Sequence, residues 1–357
     1  MSWATELYMV KLKIPKDKKY DKSLDLEDIR EYIEIRSIGK SYESYIKPGI
    51  LYFTEDLNAL ARELGVDRIV PKGIYIMGIY GGERKKGEEE YAGLVLLEHS
   101  IEHVNFKFKL YNTKDPLIVP VDSLKKYGVK VYKMIYVGEI NPFRINRYLD
   151  IILSELGGDS FKKFLEETLA LNERDISAET RGKVRKLINE LRQPTAVKPL
   201  NTNKYYVVYR CDGAFTSSAC KPSDNNIIVE SHVSYLEVRD EDVAYYYAAV
   251  LNYLAYVAVD MKRTFVRHQF ARPLLATYIA GLSWNSVNVE TREKIVALSK
   301  RLHEKAPSKE YANQRVALKE IVLFPEFKEI VETLNSKVNK ESLEEALNMV
   351  SGKGVEE

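Results

Sequence analysis

The sequence contains few cysteines and no long apolar run. Cys211 and Cys220 are the only two cysteines in 357 residues, so the sequence predicts neither a disulfide framework nor a four-cysteine zinc site; a local bridge between the two, in a thermophilic protein, is the alternative. No window approaches the roughly eighteen apolar residues that a membrane-spanning helix needs, and the N-terminus lacks the apolar region of a signal peptide. We therefore expect a cytoplasmic protein with no membrane partner.

The prolines and glycines are spaced so that familiar cofactor-binding loops are missing. None of the 12 prolines is next to another, and Asn141-Pro142-Phe143 is the nearest approach to the Asn/Asp-Pro-Pro-aromatic loop that holds an extruded adenine. The only Gly-x-Gly pair, Gly352 and Gly354, lies in the C-terminal tail, and no G-x-x-x-x-G-K occurs. We therefore expect no cofactor, and no methyltransferase, dehydrogenase or P-loop ATPase activity from this chain alone.

Glutamine is scarce, whereas charged residues are plentiful. Gln193, Gln269 and Gln314 are the only glutamines, while Lys, Arg, Asp and Glu together make up 30% of the chain. This balance is typical of proteins from hot environments, and we expect a thermophilic, archaeal source. Because the formal net charge is only +2, a nucleic-acid surface would have to come from local clustering of cations.

The periodicity of the apolar residues predicts an α+β fold. Residues 1–143 are expected to form an α+β domain with a mainly antiparallel sheet. Residues 144–195 have a helical period and are expected to form a helical connector, with helices at 147–156, 160–171 and 177–191. Residues 196–357 are expected to form a further domain, in which strands are followed by helices to the C-terminus.

The most informative stretch is 203–284. Three strand-like runs are followed by Asp240, whose position predicts an N-cap. A helix is predicted over 241–261, and it is apolar almost all round, which is typical of a helix buried on most sides. Pro273 suits the first turn of the next helix, and Gly281 is expected to end it.

These residues resemble a known family. The runs VVYR, IIVES and YLEV, followed by DEDVAYYYAAVLN with its terminal Leu251-Asn252 pair, resemble the C-terminal target-recognition region of N6-adenine DNA methyltransferases. The resemblance is to large single-chain restriction-modification enzymes in particular, and it covers residues 203–284. It implies that this region recognises a DNA target. A strand pair packed on a core helix would account for the same apolar residues.

A basic, aromatic segment follows the predicted helix. Arginine can bind phosphate or read guanine, and phenylalanine can stack on an exposed base. The alternative is a basic helix end whose charges satisfy carbonyls or neighbouring acids. The predicted nucleic-acid site consists of this segment and two cations that flank the cysteine-containing loop: Arg210, Lys221, Lys262, Arg263, Phe265, Arg267, His268, Phe270 and Arg272.

Two short motifs suggest catalysis. His99 to His103 matches the H-x-x-E-H pattern of zinc proteases, which requires a helix. It lies between strand-like runs, where residues four apart are about 13 Å from each other, so we expect no metal site. Arg263 and His268 fit the R-x4-H pattern of small helical ribonucleases, although the strands upstream are not typical of that family.

We therefore expect a binding protein that recognises duplex DNA. It would be a specificity or accessory subunit that acts with a separate methyltransferase or nuclease of a restriction-modification or defence system. One alternative is a metal-independent ribonuclease that uses Arg263 and His268 as catalytic residues. Another is a subunit of a CRISPR-type nucleoprotein complex.

Overall fold

The fold is known from a computed structural model of the 357-residue chain. The structure describes residues 9–12, 33–36, 40–47, 50–55, 57–76, 90–91, 94–96, 101–102, 105–109, 113–154, 156–190, 198–211, 214–261 and 271–350.

The described strands are numbered in chain order. They are β1 (Met9–Leu12), β2 (Ile33–Arg36), β3 (Lys40–Lys47), β4 (Ile50–Glu55), β5 (Arg68–Val70), β6 (Tyr75–Ile76), β7 (Glu90–Tyr91), β8 (Leu94–Leu96), β9 (Ile101–Glu102), β10 (Asn105–Phe108), β11 (Leu117–Pro120), β12 (Val129–Ile135), β13 (Ile140–Asn141), β14 (Arg144–Ile145), β15 (Leu149–Ser154), β16 (Tyr205–Arg210), β17 (Ser217–Cys220), β18 (Ile227–Val229) and β19 (Val233–Val238).

The described helices are numbered in the same way. They are α1 (Leu57–Leu64), α2 (Val121–Lys126), α3 (Gly158–Asn172), α4 (Ala178–Glu190), α5 (Glu241–Asp260), α6 (Arg272–Ile279), α7 (Val289–Lys305), α8 (Gln314–Ile321), α9 (Pro325–Asn335) and α10 (Lys340–Val350). None of these described helices combines the length and the apolar character needed to cross a membrane.

Two four-stranded sheets are the largest in the described structure. One has the strand order β18-β12-β15-β8, and the other has the order β17-β16-β19-β5. Neighbouring strands in both sheets are antiparallel, except that β12 and β18 are parallel. Together with the helices, these sheets confirm the α+β class that the sequence predicts.

Both sheets contain segments from the two sides of the boundary expected near residue 196. Strand β18 pairs with β12, and β5 pairs with β19. The backbone at Gly73 passes so close to the end of β18 that a Cβ at this position would overlap the carbonyl oxygen of Val229. The segments before and after residue 196 therefore share sheets.

The helix predicted over 147–156 is wrong, because this stretch contains β15. Strand β15 lies between β12 and β8, and Leu149, Ile151, Ile152 and Leu153 are all buried. A central strand that is buried on both faces has a continuous apolar run instead of an alternation. The same run also fits one face of a helix, which explains the error. The predicted helices at 160–171 and 177–191 are confirmed as α3 and α4.

Helix α5 lies within the largest core and confirms the predicted buried helix. The side chain of Asp240 accepts a hydrogen bond from the Asp242 N–H at 2.8 Å, so the expected N-cap is present. Twelve of the thirteen residues from Val243 to Ala255 are buried, with Tyr245 half-buried. The burial runs round the helix because α5 contacts strands β16 and β17 as well as helices α6, α7 and α8.

Strand β17 is at the edge of its sheet, and its outward backbone groups are bonded by other parts of the chain. The Asn252 side chain of α5 accepts from the Ser217 N–H at 3.0 Å and donates to the Ser217 carbonyl at 2.9 Å. His303 of α7 accepts from the Ala219 N–H at 2.9 Å, and the Phe143 N–H donates to the Ser217 carbonyl at 2.8 Å. We call Asn252, His303 and the Phe143 amide the β17 clamp.

Replacing Asn252 tests the β17 clamp. Asn252→Ala leaves the buried Ser217 N–H without its acceptor, and an unsatisfied buried group costs about 1–3 kcal/mol. We expect chemical denaturation to show a loss of this size in the free energy of unfolding. Asn189→Ala makes the same change at an exposed position of α4 and should leave stability within about 0.5 kcal/mol. Equal effects of the two substitutions would contradict a structural role for Asn252.

Candidate functional site

Six of the nine residues predicted to bind nucleic acid lie outside the described part of the chain. They are Lys262, Arg263, Phe265, Arg267, His268 and Phe270. The structure does place the two ends of this segment. Met261, directly after α5, is exposed, and Arg272, the first residue of α6, is half-buried. The basic segment therefore connects the deeply buried helix α5 to the helix that follows it.

Lys221 lies at the other end of α5. Along β17, Ser217 bonds Asn252 in the middle of α5, whereas Ala219 bonds His303, whose ring contacts Tyr245 at a centroid distance of 4.7 Å. Strand β17 therefore runs towards the beginning of α5, and Lys221 directly follows β17. At 1.5 Å per residue, Tyr245 is about 22 Å from the end of α5 at Asp260.

Arg210 lies on the opposite face of the sheet from α5. Val207 and Tyr209 belong to the core that surrounds α5, while Val208 belongs to a core on the other face. The alternation of side chains along a strand puts Arg210 on the Val208 side. Its Nη1 atom donates to the Val137 carbonyl at 2.6 Å, so Arg210 helps to fix the chain that follows β12.

The structure thus separates the predicted site residues that it describes. Arg272 is the last residue of the basic segment, but Lys221 and Arg210 lie away from the point where that segment leaves α5. The sequence analysis grouped Arg210 and Lys221 with the basic segment because both residues flank the cysteine-containing loop. Sequence proximity to a loop does not give the sheet face or the helix end that a side chain occupies.

Asn141-Pro142-Phe143 forms the turn of the β13–β14 hairpin. Phe143 has a φ of 61° and is fully buried. Its ring makes edge-on contacts with His303 and Phe327, at centroid distances of 5.4 and 5.7 Å. The Asn141 amide donates to the Lys309 carbonyl at 2.9 Å. An aromatic ring that is enclosed in this way cannot stack on an extruded base, so this turn has a structural role.

The described part of the H-x-x-E-H motif lies on a strand. Ile101–Glu102 forms β9, while His99 and His103 lie outside the described residues. Among the residues that the structure describes, no group of three His, Cys, Asp or Glu side chains is arranged to hold a metal ion.

The two cysteines are held as thiols. The Cys211 sulfur donates to the His232 carbonyl at 2.7 Å. Desolvation raises the pKa of the Cys220 thiol to about 12. Because a thiolate is the reactive form of cysteine, Cys220 is a poor nucleophile near neutral pH.

Sequence reasoning missed the buried carboxylate of Glu230, which organises the turn between β18 and β19. Its Oε1 atom accepts from the Ser231 hydroxyl at 2.8 Å and from the His232 N–H at 2.9 Å, and it lies 2.8 Å from His232 Nδ1. Its Oε2 atom is also buried and has no hydrogen-bond partner within the described structure. An acidic residue directly after an apolar strand was the available signal. The carboxylate fixes this turn and the orientation of the His232 ring.

His303 was also missed, and it is a neutral structural histidine. Its Nε2 accepts from the Ala219 N–H, so Nδ1 carries the proton and donates to the Ser299 carbonyl at 2.8 Å. The ring lies edge-on to Phe143 and Tyr245. Burial lowers the pKa of His303 to about 4, although the bond to Ser299 opposes this shift.

Comparison with known proteins assigns no family. The sequence matches no protein-family model, and no curated protein matches it. The resemblance of residues 203–284 to target-recognition regions therefore stays a prediction.

The depressed pKa of His303 predicts acid sensitivity. An unfolded histidine titrates near pH 6.5, so the unfolded chain binds this proton at a higher pH than the folded protein. Neutral His303 contributes to the free energy of unfolding. This contribution is fully present above about pH 6.5, and about 3 kcal/mol of it is lost as the pH falls towards 4.

Chemical denaturation at several pH values measures how the free energy of unfolding depends on the titration of His303. His303→Gln keeps a neutral acceptor for the Ala219 N–H at every pH. It should therefore lose less stability than the native protein between pH 6.5 and 4. Parallel stability curves for the two proteins would rule out titration of His303.

Proposed function

We propose that this chain binds duplex DNA and confers specificity on, or assists, a separate catalytic protein. The partner would be a methyltransferase or nuclease of a restriction-modification or defence system in the cytoplasm. The observation that carries the proposal is the position of the basic, aromatic segment 262–272. It begins where the most deeply buried helix ends, and it leads directly into α6.

The anchoring of α5 supports a role in binding. A segment that contacts DNA must be held in a defined place, since ordering it on binding costs free energy. The preceding helix is held by the β17 clamp through Asn252, and by Tyr246, whose hydroxyl donates to the Leu282 carbonyl at 3.0 Å. On the other side of the segment, Leu274 and Leu275 of α6 are buried. The ends of the segment therefore have fixed positions on the core.

The chemistry of the segment supports nucleic acid as the ligand. Lys262, Arg263, Arg267 and Arg272 supply four cations within eleven residues, and Phe265 lies between them. Arginine binds phosphate oxygens through two parallel N–H bonds and can read the edge of guanine. An interleaved phenylalanine suits stacking on an exposed base.

Two observations support a separate catalytic partner. The sequence contains no Asn/Asp-Pro-Pro-aromatic loop, and the turn that comes nearest to it encloses Phe143 in the core. The resemblance to target-recognition regions also concerns only the part of such enzymes that selects the DNA sequence.

A double substitution in the segment tests the proposal. Arg263→Ala combined with Arg267→Ala should weaken binding to a labelled 30-bp duplex. Each arginine that neutralises a phosphate contributes roughly 0.9 to the slope of log affinity against log salt. The slope should therefore shrink by about 2 units. Fluorescence anisotropy at several salt concentrations measures both quantities.

Lys221→Ala is the matched control, because Lys221 is an exposed cation at the other end of α5. It should change the salt slope by much less than the double substitution. Arg272 is left intact because it begins α6. If the double variant keeps the native affinity and slope, the segment does not contact DNA and the proposal fails.

A further inference from the structure

Helix α4 carries a glycine and several basic residues on the side away from its core. Val184, Leu187 and Ile188 are buried in a core that they share with α3 and β11. At 3.6 residues per turn, Gly182 lies opposite this buried side. Near it are an arginine, a lysine and an asparagine that are exposed, and a second arginine, Arg181, that is half-buried at the edge of the core side. We call this set the α4 face: Arg181, Gly182, Arg185, Lys186 and Asn189.

Gly182 lies at a position of α4 where no described residue approaches the backbone closely. Glycine in the interior of a helix is less stable than alanine, and one situation that favours glycine is the close approach of a ligand to the backbone. A Cβ atom at Gly182 would meet no heavy atom within 4 Å, and its φ lies outside the left-handed region. Neither packing nor backbone conformation within the described structure therefore requires glycine. An approaching ligand would supply the missing reason.

The side chains around Gly182 match the chemistry of DNA. Arginine and lysine read guanine or bind phosphate, and asparagine makes paired hydrogen bonds to adenine. Arg185 pairs with Glu173 at 2.7 Å, but the two side chains are 59% and 49% exposed. An ion pair this exposed is weak, so a phosphate can take the place of Glu173.

We infer that the α4 face lies against the major groove of duplex DNA, as a second contact in addition to segment 262–272. This inference rests on the proposed DNA-binding function. Helix α4 has 13 residues and is about 20 Å long, and the major groove is about 12 Å wide and admits a helix. The absence of a side chain at Gly182 brings the helix backbone close to the bases. The major groove of RNA duplexes is too narrow for such a helix, so the partner is DNA.

The cations of the α4 face are tested by a triple substitution of the full chain. Arg181→Ala, Arg185→Ala and Lys186→Ala together should lower affinity for a labelled 30-bp mixed-sequence DNA duplex about tenfold or more. They should also reduce the salt slope by about 2–3 units. An RNA duplex of the same sequence should bind the native protein more weakly.

The matched control removes three exposed cations from the neighbouring helix and turn. Lys162→Ala, Lys163→Ala and Arg174→Ala change the net charge by the same amount. If the control lowers affinity as much as the α4 variant, only the general charge of the protein matters and the inference is overturned. Equal affinity for the RNA and DNA duplexes would overturn it as well.

Gly182→Gln tests the close approach. Glutamine is a better helix former than glycine and has open space at this position. The melting temperature should therefore stay the same or rise, while affinity for the DNA duplex falls at least severalfold. Native affinity in this variant would show that α4 does not come close to DNA.

The outcomes for the two DNA contacts can be told apart. Loss of binding on changing Arg263 and Arg267, with native binding by the α4 variants, would refute only the α4 contact. The reverse result would refute only the role of segment 262–272. A native protein that does not bind the duplex at all would refute both.

Discussion

The hydrogen bonds on the outer edge of β17 are the constraint on which much of this structure depends. An edge strand exposes backbone groups that must be bonded or hydrated, and it can otherwise pair with another chain. Here the outward groups of Ser217 and Ala219 form hydrogen bonds with the side chains of Asn252 and His303 and with the backbone N–H of Phe143. An unsatisfied buried group costs about 1–3 kcal/mol, while a whole domain is stable by only about 5–15 kcal/mol.

The β17 clamp joins three distant parts of the chain. It draws on the β13–β14 hairpin, on α5 and on α7, so the N-terminal and C-terminal segments meet at one strand. The Phe143 ring is enclosed there, and burial lowers the pKa of His303 and keeps it neutral. They also fix α5, from whose end the basic segment departs. Helix α5 therefore has a structural and a proposed functional role. Its middle takes part in the buried β17 clamp, and the proposed DNA contact begins at its end.

Local patterns predicted the elements well and their partners poorly. Asp240 and the all-round apolar pattern located α5, and Pro273 and Gly281 located α6. The run in β15 was ambiguous because a doubly buried strand loses its alternation. Asn252 and His303 bond residues that are 35 and 84 positions away, and no local spacing encodes such partners. An asparagine in an apolar helix was an unused signal of a need for buried hydrogen bonds, whereas the open space at Gly182 became visible only in the structure.

Hydrogen–deuterium exchange of the full chain, with and without a DNA duplex, tests the central claim most directly. The claim is that the β17 clamp holds α5 as a fixed base from which segment 262–272 contacts DNA. In the free protein, the amides of Ser217, Ala219 and the middle of α5 should exchange slowest. Adding the duplex should slow exchange in 262–272 and leave 217–221 unchanged. Rapid exchange in β17 and α5, or no protection of 262–272 by bound DNA, would contradict the account.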